Sequence, residues 1–360
     1  MFCTNCGQLQ LSHVVSPEIL FRHYVWVSST SSVTVAHFEE YARTVLRSCR
    51  FRKGDLVIDI GSNDGTLLKS FKKRGAKVLG IDPARNIARL ATRQGIRTIP
   101  QFFNLSLAKQ IRRTYGAAMV ITANNCFAHI HDLDEVMGGV GELLAKDGIF
   151  IIEAPYNIDL IEKNLFDIIY HEHLSYLSVT PLDKFFKRFG MKIYDVIKQQ
   201  VHGGSIRVCV GTGRLVRPSV RKFIDAEYTK KLHDINTYRK LAKRIKKNKA
   251  VLSKLLRKLK NENMAIAGYG ASAKSTTLLH YFGIGRETLD FIADDNALKI
   301  GLFTPGKHIP IAAPKELYTR KPDYLLLLAW NFSDSIMRMH KKYKFLGGRF
   351  IIPVPTPKIL

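Results

Sequence analysis

No stretch of the 360 residues runs for about 18 apolar positions without interruption, so the sequence predicts no membrane-spanning helix. Residues 1–10 carry no basic region followed by an apolar run, so no secretory signal is expected and the predicted location is cytoplasmic. Cysteine is sparse. Five residues, an odd number, argue against a disulfide framework and fit a reducing compartment. Cys49, Cys126 and Cys209 stand alone and are expected to pack as small apolar side chains, whereas Cys3 and Cys6 form a Cys-x-x-Cys pair. Acidic residues are scarce as well, 30 Asp and Glu against 56 Lys and Arg, for a net charge of +26. Such a field favours anionic partners without naming one. Much of the excess falls in 239–260, which reads as one long exposed helix face. No zinc-finger spacing or base-reading aromatic motif accompanies it, so nucleic acid is a weak reading. No fixed-period repeat is present.

What is there is an alternation of strand and helix. Residues 55–60 read as a short buried strand, followed by the turn Gly61-Ser62-Asn63-Asp64-Gly65 and an apolar-periodic run over 66–71. Strands are predicted near 77–81, 118–122 and 148–153, with helical segments between them, which gives a parallel doubly wound sheet. Runs at 191–197 and 205–210, joined through His202-Gly203-Gly204, read as a hairpin. An antiparallel pair closing a parallel sheet fits the class I methyltransferase fold. A basic helical connector over 214–260 then leads to a strand near 264–267, a second glycine turn, Gly268-Tyr269-Gly270-Ala271-Ser272-Ala273-Lys274, and strands near 289–293, 323–329 and 349–353. The predicted fold class is α/β, a class I SAM-methyltransferase Rossmann-like sheet over 49–213 plus a second Rossmann-like α/β domain over 261–360.

At the carboxyl edge of such a sheet a glycine turn lets backbone approach a ligand, and an acid ending the next strand can accept both ribose hydroxyls. Gly61, Asn63 and Gly65 supply the turn and Asp82 the acid. The turn does not have the three-glycine spacing that cradles a pyrophosphate, which favours S-adenosylmethionine over a dinucleotide. A generic strand-to-helix turn is the plainer alternative, and Asp82 weighs against it. Asn124, just after the strand at 118–122, falls on the same edge, where it would contact cofactor or substrate or cap the next helix.

Between the strand near 148–153 and the hairpin lies Tyr170-His171-Glu172-His173-Leu174-Ser175-Tyr176, a dense set of titratable side chains. Methylating carbon requires a base to take a proton from carbon beside a carbonyl, and a group to hold the enolate. Histidine suits the base role and Glu172 would orient it or bind a hydroxyl. Metal binding is weaker, since residues one and two apart do not share a helix face and the helical zinc motif places histidines four apart. A structural polar cluster is the other alternative. His129, after the strand at 118–122, is a further candidate or a satisfied loop histidine.

Taken together, these pieces resemble the C-methyltransferases that act on nucleotide-linked 4-keto-deoxysugars, over nearly the whole chain. The resemblance rests on Ser28-Ser29-Thr30-Ser31 after Tyr24, Ile60-Gly61-Ser62-Asn63-Asp64-Gly65, Glu153-Ala154-Pro155-Tyr156, Tyr170 through Tyr176, His202-Gly203-Gly204-Ser205-Ile206-Arg207, Gly268 through Lys274, and Thr304-Pro305-Gly306-Lys307-His308-Ile309-Pro310. It implies a zinc-binding N-terminal module with a sugar-contact segment over 1–48, a central methyltransferase domain, and a C-terminal domain that helps hold the nucleotide sugar. It implies His173 as general base, with Tyr24, His129, Tyr170 and Glu172 lining the sugar. His202 and Lys274 are expected on the substrate, Lys274 meeting a diphosphate at a helix N-terminus. The implied partner is thus a nucleoside-diphosphate sugar, with thymidine diphosphate the expected carrier. The family has an upstream cysteine pair, and here only Cys3 and Cys6 are present, with His13 as a conceivable substitute. Two of the four ligands of tetrahedral zinc do not complete the site. A misassigned start or an eroded module would account for the missing pair. Two rivals remain at this stage: a catalytically inactive nucleotide-sugar-binding relative, against which intact His173, Glu172 and Asp82 speak, and a nucleic-acid methyltransferase suggested by the charge.

Overall fold

Uninterrupted apolar runs make strands that are covered on both faces. The mostly apolar segments Leu56–Ile60 (β1), Lys77–Ile81 (β2), Thr98–Ile99 (β3), Ala118–Asn124 (β4) and Leu144–Pro155 (β5) pair in parallel, and Lys192–Gln199 (β6) and Ser205–Gly211 (β7) join antiparallel. Every residue of β1 is buried. The structure, a computed structural model, describes residues 1–360 except the side chain of His202. The sheet order is β3-β2-β1-β4-β5-β7-β6, so the chain starts in the middle, winds outward one way and then the other. This is the expected class I Rossmann-like arrangement, closed by the expected hairpin. The order reverses between β1 and β4, and in open α/β sheets ligands bind beside the carboxyl ends of the strands at such a point.

Helices Ser32–Ser48 (α1), Thr66–Lys72 (α2), Arg85–Arg93 (α3), Leu105–Tyr115 (α4), Leu133–Leu143 (α5) and Val179–Lys187 (α6) belong with this sheet. One apolar layer joins Leu107, Ile111, Met137 and Val140 to Ile58, Ile121 and Phe150, while Tyr41, Val45, Leu68 and Phe71 pack with Val57, Val120 and Ile151. Each fully buried Leu, Ile or Phe of these layers contributes about 1.5–3 kcal/mol. Caps are local. Ser31 Oγ accepts from Thr34 N, Asn104 Oδ1 from Leu107 N and Asp132 from Glu135 N. The start of α6 is capped from a distance: Glu227, buried in the helix Pro218–Thr229 (α7), accepts from Val179 N, Thr180 N and Thr180 Oγ1, and Tyr156 Oη donates to it.

Two compact units result, residues 1–158 with 171–233, and 159–170 with 234–360. The segment read as one connector is therefore divided: α7 belongs to the first unit and the long helix Ile235–Asn261 (α8) to the second. Tyr238, Leu241, Ile245, Leu252, Leu256 and Leu259 form the buried stripe of α8, which leaves its lysines and arginines facing solvent as expected.

The second unit is a smaller sheet of Ile266–Tyr269 (β8), Ile292–Ala293 (β9), Ile311–Ala312 (β10), Tyr324–Leu327 (β11), Arg349–Ile352 (β12) and Lys358–Ile359 (β13), in the order β10-β9-β8-β11-β12-β13. All neighbours are parallel except β12 with β13. Gly268, expected in the glycine turn, is the third residue of β8. Segment 159–170 is woven into this unit. Arg244 Nε donates to Asn164 Oδ1 at 3.1 Å, Asn164 Nδ2 to the Pro355 carbonyl at 3.2 Å, and Phe166 packs on Tyr281 and Phe282 of the helix Ala273–Phe282 (α9). Among the described residues no helix is long and apolar enough to cross a membrane.

Candidate active site

The turn after β1 is built for close approach. Gly61 has φ +72°, and a Cβ there would lie 2.7 Å from Cys126 Cβ, so neither conformation nor space admits a side chain. Gly61 N and Ser62 N donate to the Ile81 carbonyl, and Gly65 caps α2. Asp82, at the end of β2, accepts from Asn63 N at 2.8 Å and from Ala84 N at 2.9 Å. Burial pushes its carboxyl up and these two bonds oppose that. A carboxylate has about four lone-pair positions, so Asp82 retains capacity for a ribose diol. Two buried atoms on this edge, Ser62 Oγ and Asn124 Nδ2, have no hydrogen-bond partner among the described residues. Orphaned polar atoms of this kind carry a desolvation cost that a polar ligand relieves. The glycine turn, the acid and the two orphans fit S-adenosylmethionine.

Asn63 and Asn124 have duties the sequence did not reveal. Asn63 Oδ1 accepts from Ser28 N and its Nδ2 donates to the Trp26 carbonyl, while Asp64 Oδ2 accepts from Ser29 N. The Asn63 side chain thus anchors the N-terminal segment to the turn, and only its backbone N–H serves Asp82. Asn124 is the last residue of β4, where it was expected to follow the strand, and its Oδ1 accepts from Tyr41 Oη at 3.1 Å. Beside it, Arg207 donates to Glu153 at 2.9 Å and stacks 3.8 Å over the Tyr41 ring, and His37 completes the Glu153 environment. His37 and Arg207 hold Glu153 low against a burial that raises it. Beneath the turn, buried Asp59 accepts from Thr122 Oγ1 at 2.6 Å, and burial pushes its carboxyl up to about 7.

Next to this edge the structure gathers residues that are far apart in sequence. The His129 and His173 ring centroids are 4.9 Å apart, and Phe21 stacks on His129 at 5.9 Å with planes 16° apart. Tyr24 Oη donates to Glu172 Oε2 at 2.9 Å. Burial raises Glu172, and the bond from Tyr24 lowers it. Asn86 of α3, which the sequence reading did not single out, fixes the Tyr24 backbone: its Oδ1 accepts from Tyr24 N and its Nδ2 donates to the Tyr24 carbonyl. The strand pair Leu9–Gln10 with Ser175–Tyr176, and Leu11 N donating to the Leu174 carbonyl, tie the N-terminal segment to the loop that carries His173. His171 lies edge-on to His13 at 6.4 Å between ring centroids. Tyr170 falls in the second unit, as does Lys274. His202 lies outside the described side chains. Among the described residues no three His, Cys, Asp or Glu side chains cluster as a metal site, so Cys3 and Cys6 meet no third ligand and His13 does not join them. Two thiols alone do not fit tetrahedral zinc.

Burial depresses His129 to about 4, so its imidazole is neutral at neutral pH. The unfolded chain takes that proton near pH 6.5, so the folded state loses relative stability as pH falls from about 6.5 towards 4. Urea titrations across this window should show a loss of up to about 3 kcal/mol in the parent that is absent in His129→Phe. Parallel pH curves for the two proteins would contradict the depressed value.

Comparison with known proteins places the chain among methyltransferases. Residues 35–196 match the family model of a methyltransferase domain, and residues 200–355 that of a C-methyltransferase C-terminal domain. The chain is 38% identical over 361 residues to the C-methyltransferase NovU of Streptomyces niveus, covering 99% of this chain and 86% of the relative. Over 40% of its length it is 24% identical to a ubiquinone biosynthesis O-methyltransferase of Aeromonas salmonicida, covering 65% of that protein. Among solved structures, magnesium protoporphyrin IX methyltransferase from Synechocystis with bound SAH aligns with 51% of this chain and 88% of its own, at 14% identity and a TM-score of 0.39.

Proposed function

Since the chain belongs to the C-methyltransferase family that includes NovU, and is a SAM-dependent methyltransferase, we propose that its acceptor is a carbon acid, C3 of a nucleotide-linked 4-keto-deoxysugar. The observation that carries this reading is the pair of imidazoles 4.9 Å apart, one kept neutral by burial, beside the Tyr24–Glu172 hydrogen bond. Transfer to a phenol or alcohol needs little more than orientation. A carbon beside a ketone must first lose a proton, and a positioned base is what that step requires.

In the proposed mechanism His173 takes the C3 proton through a ring nitrogen, and the C–H electron pair moves into the C3–C4 bond as the C4 oxygen becomes an enolate. His129, neutral and packed on Phe21, supports His173 and excludes water from it. Tyr24 and Glu172 hold sugar oxygens, with Tyr24 held by Asn86 at the distance its hydrogen bond to Glu172 demands. Tyr170, His202 and Lys274 contribute to substrate binding in this reading, and thymidine diphosphate is the carrier. Asp82, Gly61, Gly65 and Asn124 would hold S-adenosylmethionine, which would supply an electrophilic methyl group to the C3 carbanion equivalent.

The test is mass spectrometry of a thymidine-diphosphate 4-keto-deoxyhexose incubated with protein and S-adenosylmethionine, with deuterium exchange at C3 followed in parallel. Gain of one methyl is expected. Exchange without methylation would retain the base and reject this acceptor, and neither signal would reject the carbon-acid reading.

A further inference from the structure

Asn124 ends β4, and its side-chain amide can offer a ligand beside the sheet either an oxygen or an NH2 group. Tyr41 decides which. It is 0% exposed, belongs to α1, and its Oη donates to Asn124 Oδ1 at 3.1 Å. Burial pushes the phenol well above its ordinary range, so the hydroxyl keeps its proton and remains a donor. With Oδ1 so engaged, the other end of the amide is left for a ligand: Nδ2 is buried and has no hydrogen-bond partner among the described residues.

The Tyr41 ring is held in turn. Arg207 stacks 3.8 Å over it, and Phe71 and His37 meet it edge-on at 6.3 Å between ring centroids. Glu153, opposite Asn124 in the sheet register, takes its side-chain bonds from Arg207 and His37 and so makes no claim on the Asn124 amide.

What the NH2 group meets follows from the two sides of this edge. Asp82, at the end of β2, has capacity for the ribose diol, whereas Asn124 ends β4, on the far side of β1. His129, in the turn Phe127–His129 that follows Asn124, packs on His173 at 4.9 Å. A methyl group bound for the acceptor carbon must face those imidazoles, so the sulfonium and the amino-acid tail attached to it extend towards β4. That tail has one group that donates, an ammonium, and one that accepts, a carboxylate. An NH2 group pairs with the second.

We propose that Tyr41 is a positioning residue for the cofactor: by holding Asn124 Oδ1 it presents Nδ2 to the carboxylate of S-adenosylmethionine. The inference rests on placing the cofactor at the ends of β2, β1 and β4, and adds the direction of its amino-acid tail and the residue that sets it.

Titration calorimetry on the full chain at about pH 8 tests it, with S-adenosylmethionine and its decarboxylated analogue, which keeps the sulfonium and the ammonium. Asn124→Asp has the same shape, retains an oxygen for Tyr41 and puts a carboxylate oxygen where Nδ2 stood. It should bind S-adenosylmethionine at least about tenfold more weakly, and the analogue no more weakly than the parent does. Tyr41→Phe keeps the ring under Arg207 and frees the amide to rotate, and it carries the test alone if Asn124→Asp does not fold. It should weaken S-adenosylmethionine about three- to tenfold and leave the analogue within about twofold. General loosening of the edge would weaken both ligands alike, so the ratio of the two affinities is what decides. Equal losses in Tyr41→Phe would overturn its positioning role. Unchanged S-adenosylmethionine affinity in Asn124→Asp would overturn the pairing with the carboxylate, and a gain would put the ammonium there instead. Asp82→Ala checks the underlying placement, because the ribose is common to both ligands and both should weaken by a similar factor. If neither weakens, the placement of the cofactor at this edge fails with everything built on it.

Discussion

His173→Ala is expected to lower methyl transfer by about 10²–10⁴-fold, the usual range for loss of a positioned base, with S-adenosylmethionine affinity within about twofold of the parent. The two properties separate because they are proposed for different elements: His173 is in the loop before Ser175–Tyr176, and the turn proposed for the cofactor lies between β1 and α2. Asp82→Ala should do the reverse, weakening cofactor binding roughly 10- to 100-fold through lost charged hydrogen bonds. It also releases Asn63 N, the backbone group that Asp82 holds in the left-handed conformation at φ +50°. Calorimetry gives the affinities, and deuterium exchange at C3 isolates the deprotonation step. Exchange should vanish in His173→Ala and persist in Asp82→Ala. Equal loss of cofactor affinity in both variants, or exchange surviving without His173, would remove His173 from the base role and leave His129, its 4.9 Å neighbour, as the group to test.

The largest stability effect is expected at Arg207. Its side chain is 4% exposed and that of Glu153 1%, and two guanidinium nitrogens reach the same carboxylate oxygen at 2.9 Å. Arg207→Met fills similar space and removes the charge, leaving a buried carboxylate with His37 alone. Breaking such a pair costs about 3–5 kcal/mol, mostly for the unpaired charge left behind. The paired change Arg207→Met with Glu153→Gln removes that charge too and should recover much of the loss. Urea unfolding decides between them. A single variant as stable as the double would show that Glu153 is not stranded, and that His37 suffices as its counterion. Because Arg207 also covers Tyr41, which donates to Asn124, the single variant should loosen the cofactor edge as well as the core.

The strands were legible where one kind of signal dominated. β1 and β2 are mostly apolar runs followed by a glycine turn and by an acid, and the sequence places their ends within a residue of the structure. The first sheet's hairpin was legible from its two glycines and flanking apolar alternation. What remained hidden was long-range. Asn86 reads as an ordinary helix residue until its amide is seen to clamp Tyr24, 62 positions earlier. Glu227 reads as one more charge in a charged helix, yet it caps α6 from 48 positions away. Asn63 looked like part of the ligand turn, and its side chain instead holds the segment 26–28. Local periodicity reports which face of an element is buried. It does not report which distant backbone a polar side chain satisfies, and most of this site's geometry is set by such bonds.

The path of the chain through its two units bears on how such an enzyme is recombined. Residues 159–170 leave the first unit, supply Asn164, Phe166 and Asp167 to the second, and return before His171. The second unit is therefore not a cassette with a single seam. A chimaera joined at one crossover near 234 would mate the recipient's own 159–170 segment to a foreign α8 and α9, with Arg244, Phe282 and Trp330 facing unfamiliar partners. Exchange of the second unit between relatives therefore needs two grafts made together, the short one ending one residue before His171.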